Sequence, residues 1–131
     1  RGHFELAKDP FGGEGQVWRG THGAHGGKKI VAINSEGFFV MPDRPELASV
    51  RIRLAVHGGL DVKVVVGGDG KFFSFHRTLP AAGRWCDLDL PLSAMAGRVG
   101  GGTKVVDITV MHKDPSPAAA LYVHSAVLVA N

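Results

Sequence analysis

Hydrophobic and polar residues alternate with a period of two along most of this chain, which is the pattern of β-strands that bury one face. Turn-forming residues, such as the Gly-Gly-Asp-Gly run at 67–70, separate the alternating segments. The pattern predicts nine short strands, at 4–7, 28–34, 37–41, 47–57, 61–66, 71–78, 85–90, 104–112 and 121–129. Residues 12–27 are predicted to form a loop, and only 92–97 fits a turn of helix.

Nine strands at this spacing are typical of an all-β fold, an antiparallel two-sheet β-sandwich of the jelly-roll type. We predict one domain covering residues 1–131, because neither a repeat nor a composition boundary divides the chain. In the 47–57 strand, Ile52 and Leu54 are expected to face the core, with Arg51 and Arg53 facing outward. The buried face of the 71–78 strand stays open, because phenylalanines occupy both of its faces.

Composition supports a folded domain and only loosely limits its partners. Apolar residues make up 44% of the 131 residues, which is enough to build a core. The formal net charge of +3 fits an acidic or sulfated glycan slightly better than a neutral one, and it also fits an ordinary solvated surface. Cys86 is the single cysteine, and we predict a buried, inert thiol. Because the chain begins at Arg1 rather than methionine, we expect a domain excised from a larger enzyme.

Aromatic rings and planar polar side chains are the residue types that suit sugar recognition. A ring can lie against the C–H face of a pyranose, and a guanidinium can bond two hydroxyls or a carboxylate at once. Trp18, in a segment with little core pattern, is the predicted stacking platform, whereas Trp85 precedes an alternating strand and is predicted to lie in the core. Trp18 could instead cap one end of the hydrophobic core.

The predicted partners of this platform are charged side chains on outward strand faces. Arg51 and Arg53 are spaced by two and would share one face, where they could bond hydroxyls or carboxylates or serve only as solvated decoration. His76 or Asp107 is predicted to complete the same groove.

No catalytic pattern accompanies these residues. The carboxylates lie mostly at turns and do not form the positioned pair that glycoside hydrolysis needs. The sequence also lacks a Gly-x-Ser-x-Gly elbow and a phosphate-binding loop, and its basic residues are dispersed. No apolar run reaches membrane-spanning length. We therefore predict a protein that is not an enzyme and whose partners include neither nucleic acid nor membrane.

Several segments occur in an order that resembles a known family. Phe4-Glu5 opens the chain, Trp18 follows a glycine-rich segment, and a hydrophobic strand follows two glycines at 26–33. A tryptophan, an alternating strand and Pro-Leu-Ser then occupy 85–93, and Tyr122 begins the last strand. Over nearly the whole chain, this order resembles the galactose-binding-like jelly rolls, which include the carbohydrate-binding modules of bacterial glycanases.

The resemblance implies a non-catalytic module that binds a polysaccharide or oligosaccharide and targets an attached carbohydrate-active enzyme to it. Such a module would be secreted or held at the surface of a bacterial cell. The resemblance also implies a structural calcium with Glu5 among its ligands, although His124 stands where an aspartate is usual in the last strand. The alternative is a structural or assembly β-sandwich that contacts a catalytic neighbour or an identical subunit.

Overall fold

The computed structural model describes residues 3–25, 27–68, 70–95 and 106–130. Within these residues the chain forms nine strands: β1 (His3–Lys8), β2 (Gln16–His25), β3 (Lys28–Phe39), β4 (Ala48–His57), β5 (Asp61–Gly68), β6 (Lys71–Thr78), β7 (Cys86–Pro91), β8 (Val106–His112) and β9 (Ala120–Ala130). Two short 3-10 turns, Pro45–Leu47 and Leu92–Met95, accompany them. None of the helical turns in the described ranges could cross a lipid bilayer.

The strands form two antiparallel layers that share β2. In the first sheet, β1, the first part of β2, β9, β4 and β7 are neighbours in that order. In the second sheet, the last part of β2 is followed by β3, β8, β5 and β6. This arrangement confirms the all-β antiparallel sandwich expected from the period-two pattern.

Strand β2 passes from one sheet to the other near Gly20. Arg19 is the last β2 residue paired with β9, and His22 is the first paired with β3. A Cβ atom at Gly20 would lie 3.2 Å from Cγ1 of Val31, which is closer than most real Cβ contacts. A glycine therefore fits the point where the two layers meet.

The core lies between the sheets and is built from alternate residues of their strands. The largest fully buried side chains from the central strands of both layers include Ile52, Leu54, Leu121, Val62 and Val31. Fully burying one such side chain stabilises the fold by about 1.5–3 kcal/mol. Cys86 is a buried free thiol, as predicted.

Two sequence predictions of local structure are wrong. Residues 12–27, expected to be a loop, contain the whole of the ten-residue strand β2. The two strands expected at 28–34 and 37–41 form one strand, β3, whose register with β8 shifts between Ser35 and Phe39. In β6, Phe75 is buried and His76 is exposed, which settles the face that the sequence left open.

Candidate functional site

The outer face of the first sheet carries polar side chains because its strands alternate. In β4, Ile52 and Leu54 are fully buried, so that Arg51, Arg53 and His57 point to the opposite side. The prediction that the two arginines share one outward face is met by this geometry.

Both arginines face carboxylates on the neighbouring strand β7. Arg51 lies directly across from Asp89, and its Nε and one terminal nitrogen donate to the two carboxylate oxygens over 2.8 and 3.1 Å. Arg53 lies across from Asp87, with 3.9 Å between the guanidinium and the carboxylate. The bidentate pair uses two of the five guanidinium N–H groups, so the others can donate to a ligand.

The Arg51 hydrogen bonds lower the pKa of Asp89 below its ordinary value, and the charge of Arg51 adds to this effect. In turn, the Asp89 hydrogen bond and charge raise the pKa of Arg51 above its usual value. A carboxyl whose pKa falls on folding stabilises the fold above its unfolded pKa, and that contribution is lost as pH drops through the folded value.

We expect the stability difference between the wild type and Asp89→Asn to depend on pH. The variant should be less stable than the wild type at pH 7. This difference in the free energy of unfolding should disappear as the pH falls below 3.8, the ordinary pKa of an aspartate. Urea midpoints measured across this range test the prediction, with Asp87→Asn as the matched control on the weaker pair. A gap that stayed constant down to strongly acidic pH would contradict it.

Aromatic side chains cover the other end of the same outer face. The Trp85 ring packs edge-on against the rings of Phe11 and His124, and in both pairs the ring centroids are 5.4 Å apart. The centroid of the His57 ring is 6.3 Å from the ring centroids of both Phe11 and Tyr122. We call these five side chains the aromatic cluster.

Strand alternation explains why Trp85 belongs to this cluster. The next residue, Cys86, is buried opposite Leu54, so the preceding side chain turns to the outer face. Trp85 is half-buried there, and its predicted placement in the core is wrong. Ala55, small and fully buried across from Tyr122, leaves room for the rings above it.

A tight turn brings Phe11 to the cluster from the loop between β1 and β2. The Asp9 carboxylate accepts a hydrogen bond from the Phe11 backbone N–H at 2.8 Å. The Asp9 carbonyl accepts another from the N–H of Gly12, whose φ of +83° favours glycine. The Asp-Pro-Phe-Gly-Gly segment carried this turn signal in the sequence, but Phe11 was not among the predicted site residues.

A buried histidine fixes the end of β4 where His57 lies. Nδ1 of His112 accepts a hydrogen bond from the Asp114 backbone N–H at 3.0 Å, which leaves Nε2 as the protonated nitrogen. Nε2 therefore donates to the His57 carbonyl at 2.8 Å. The backbone beneath this edge of the aromatic cluster is thus tied to strand β8.

Trp18, the predicted platform, lies elsewhere. It pairs with the buried Val123, so its side chain is on the core-facing side of the first sheet, where it remains 41% exposed. Phe4 meets its ring edge-on at 5.5 Å. Both rings line a cavity of about 330 Å³ between the sheets.

His76 and Asp107 lie on the second sheet. His76 follows the buried Phe75 in β6, and Asp107 precedes the buried Ile108 in β8, so that both belong to the outer side of that layer. The core separates them from the two arginines. The single groove predicted for these residues is therefore not formed, because strand order places their strands in different sheets.

The surroundings of Glu5 do not fit a calcium site. Glu5 lies across from Arg19 and forms an ion pair with it on the outer face of the first sheet. Its carboxylate is thus neutralised by a cation, and His124, at the position of the usual aspartate, contacts Trp85. The described part of the chain holds no group of three or more histidine, cysteine, aspartate or glutamate side chains suited to a metal. The predicted calcium stays a prediction, and we derive nothing through it.

Comparison with known proteins defines the class of fold. No protein-family model matches the chain, and no curated protein sequence matches it. Among solved structures, that of TmCBM61 in complex with beta-1,4-galactotriose at 1.4 Å resolution is similar, with a TM-score of 0.63. The match covers 100% of this chain and 86% of that chain at 10% sequence identity. At this identity, the similarity shows a shared β-sandwich fold.

Proposed function

We propose that this protein is a non-catalytic module that binds carbohydrate on the outer face of its first sheet. The observation that carries this proposal is the continuity of the aromatic cluster with the two Arg–Asp pairs along β4 and β7. The similar fold of TmCBM61, whose structure holds a galactotriose, supports the same class of ligand.

The surface has the length and the chemistry for a short oligosaccharide. From Arg51 to His57, side chains on every second position extend over about 20 Å. The rings at one end can contact the C–H faces of sugar units. At the other end, guanidinium N–H groups can donate to hydroxyls, and carboxylate oxygens can accept from them.

Charge balance on this face favours a neutral glycan. Three arginines of the first sheet each lie beside a carboxylate, as the pairs Arg51–Asp89, Arg53–Asp87 and Arg19–Glu5. Together these pairs add no net charge, so the positive charge of the whole chain is not concentrated where the ligand would lie. The composition slightly favoured an acidic or sulfated glycan. The negative charges of such a glycan would be repelled by Asp87 and Asp89 as well as attracted by the arginines.

The biological role that we propose is to hold an attached carbohydrate-active enzyme at its polysaccharide. A weak binding site raises the local concentration of a tethered catalytic domain without taking part in the reaction. This role places the protein outside the cell, where polysaccharides are found.

Binding should be detectable with neutral galactans and insensitive to salt. We expect dissociation constants between about 1 μM and 1 mM for β-1,4-galacto-oligosaccharides in isothermal titration calorimetry, with little change between low and high salt. Affinity gels containing neutral, uronic and sulfated polysaccharides form the comparison. Binding restricted to sulfated polymers and abolished by salt would contradict the neutral class, and no binding to any polymer would contradict the proposed function.

Exposed apolar residues on edge strands favour the structural alternative. In the described strand pairings, β1 pairs only with β2 and β6 only with β5, and they carry the exposed Leu6 and Phe72. Such edges can pair with a catalytic neighbour or a second copy. A concentration-dependent dimer in analytical ultracentrifugation, together with a silent glycan screen, would favour assembly over carbohydrate binding.

A further inference from the structure

A cavity of about 330 Å³ lies between the two sheets, apart from the outer face described above. Its walls are core side chains from both layers: Ile52, Val123 and Ala126 of the first sheet, and Ile33, Ile108 and Val110 of the second. These six side chains are hydrocarbon, so the interior of the cavity is mostly apolar, and the polar residues of its lining are Asn34, Ser35, His124 and Ser125.

Two aromatic rings mark the open side of the cavity. Phe4 and Trp18 line it and are each 41% exposed, whereas the wall residue Val110 is buried. The described pairing of β2 with β9 is limited to Trp18–Val123 and Arg19–Tyr122. The two strands separate beyond these pairs, and the opening lies there. A ligand can therefore reach the apolar walls from solvent past the two rings.

Polar groups are found at the rim of the cavity. Ser35 is exposed and lies across from Ile108. On β9 the register with β4 passes from Arg53–Ser125 to Leu54–Val123, which leaves His124 as a bulge residue beside the opening. A ligand with an apolar body can thus keep one polar group near Ser35 or the bulge.

We propose that this cavity binds a small molecule with an apolar body of ring size and one polar substituent. A dry apolar cavity of about 150 Å³ is already sufficient for a benzene ring, and ligand pockets begin at about 300 Å³. The cavity therefore accommodates a substituted ring, with its hydrocarbon part against the walls and its polar group at the rim. The cavity walls lie on the opposite side of the first sheet from the proposed carbohydrate face, although His124 belongs both to the cavity rim and to the aromatic cluster.

The probe for this proposal is 4-fluorophenol, followed by fluorine NMR, with fluorobenzene as the analogue that lacks the hydroxyl. We expect saturable binding of 4-fluorophenol to the wild-type chain, with weaker binding of fluorobenzene. Ala126→Leu places added methyl groups in the cavity and should weaken binding by at least about tenfold. Ala130→Leu makes the same change on the same strand away from the cavity and should leave affinity within about twofold of the wild type.

A second variant separates loss of the site from loss of the fold. Trp18→Ala removes an exposed ring from the mouth and should weaken 4-fluorophenol binding several-fold while the circular dichroism melt remains cooperative. The proposal is overturned if the wild type shows no saturable binding. It is also overturned if Ala126→Leu or Trp18→Ala, folded by its melt, binds the probe as tightly as the wild type.

Discussion

Replacing Trp85 by alanine is expected to weaken glycan binding by about 30-fold, equivalent to about 2 kcal/mol. The Trp85 ring is half-buried and contacts both Phe11 and His124 at 5.4 Å, so its loss removes a large surface and the support of two further rings. Isothermal titration calorimetry with the oligosaccharide that binds the wild type most tightly measures the effect. The circular dichroism melt should stay cooperative, because the ring lies outside the main hydrophobic core.

Trp18→Ala is the matched control for this prediction. Both variants lose one indole, but the Trp18 side chain lies on the core-facing side of the first sheet, opposite to the side that carries the aromatic cluster. We expect Trp18→Ala to keep its glycan affinity within about threefold of the wild type. The opposite result, in which Trp18→Ala loses glycan binding and Trp85→Ala keeps it, would contradict this assignment. It would support Trp18, the residue predicted from the sequence, as the stacking platform.

The sheets that support this site follow from local pattern, but the strand joining them does not. Strands such as β4 keep one face in the core over their length, which gives the alternation that the sequence displays. Strand β2 changes layers near Gly20, so no single face of it stays buried. Val17 is buried while Trp18 and Arg19 are exposed, a pattern that resembles a loop.

Local sequence pattern also fails to predict the middle of β3, where the sequence predicted a turn between two strands. Asn34, Ser35 and the two residues after them are turn-prone and predicted a break. In the fold they coincide with a register shift against β8, because pairing with a neighbouring strand keeps the backbone extended. Long-range pairing thus overrides a local preference there.

Site residues could be predicted from the sequence only where alternation within a single strand determines which side of the sheet a side chain lies on. The shared outward face of Arg51 and Arg53 follows from alternation within one strand. Grouping them with His76 required knowledge of strand order, and β6 lies in the other sheet. Phe11 and Trp85 come together from a loop and the start of β7, a contact between segments far apart in sequence that no local pattern encodes.

The outer surface depends on the core on the other side of the same sheet, and Leu54 is a core residue at which this dependence can be tested. Leu54 is fully buried in β4 and pairs with Cys86 on one side and Val123 on the other. It therefore lies between the two strands next to which Trp85 and the His124 bulge are placed. Both the aromatic cluster and the cavity mouth are adjacent to this position.

Leu54→Ala is therefore expected to lower the free energy of unfolding by about 3 kcal/mol, since it removes buried methyl groups and leaves a void. For a domain with a total stability of about 5–15 kcal/mol, this is a large fraction. Urea denaturation followed by circular dichroism measures it. Leu47→Ala, which truncates a leucine that is 50% exposed, should change stability by less than about 0.5 kcal/mol. Equal stability losses in the two variants would contradict the placement of Leu54 in the core, and with it the dependence of the binding face on this residue.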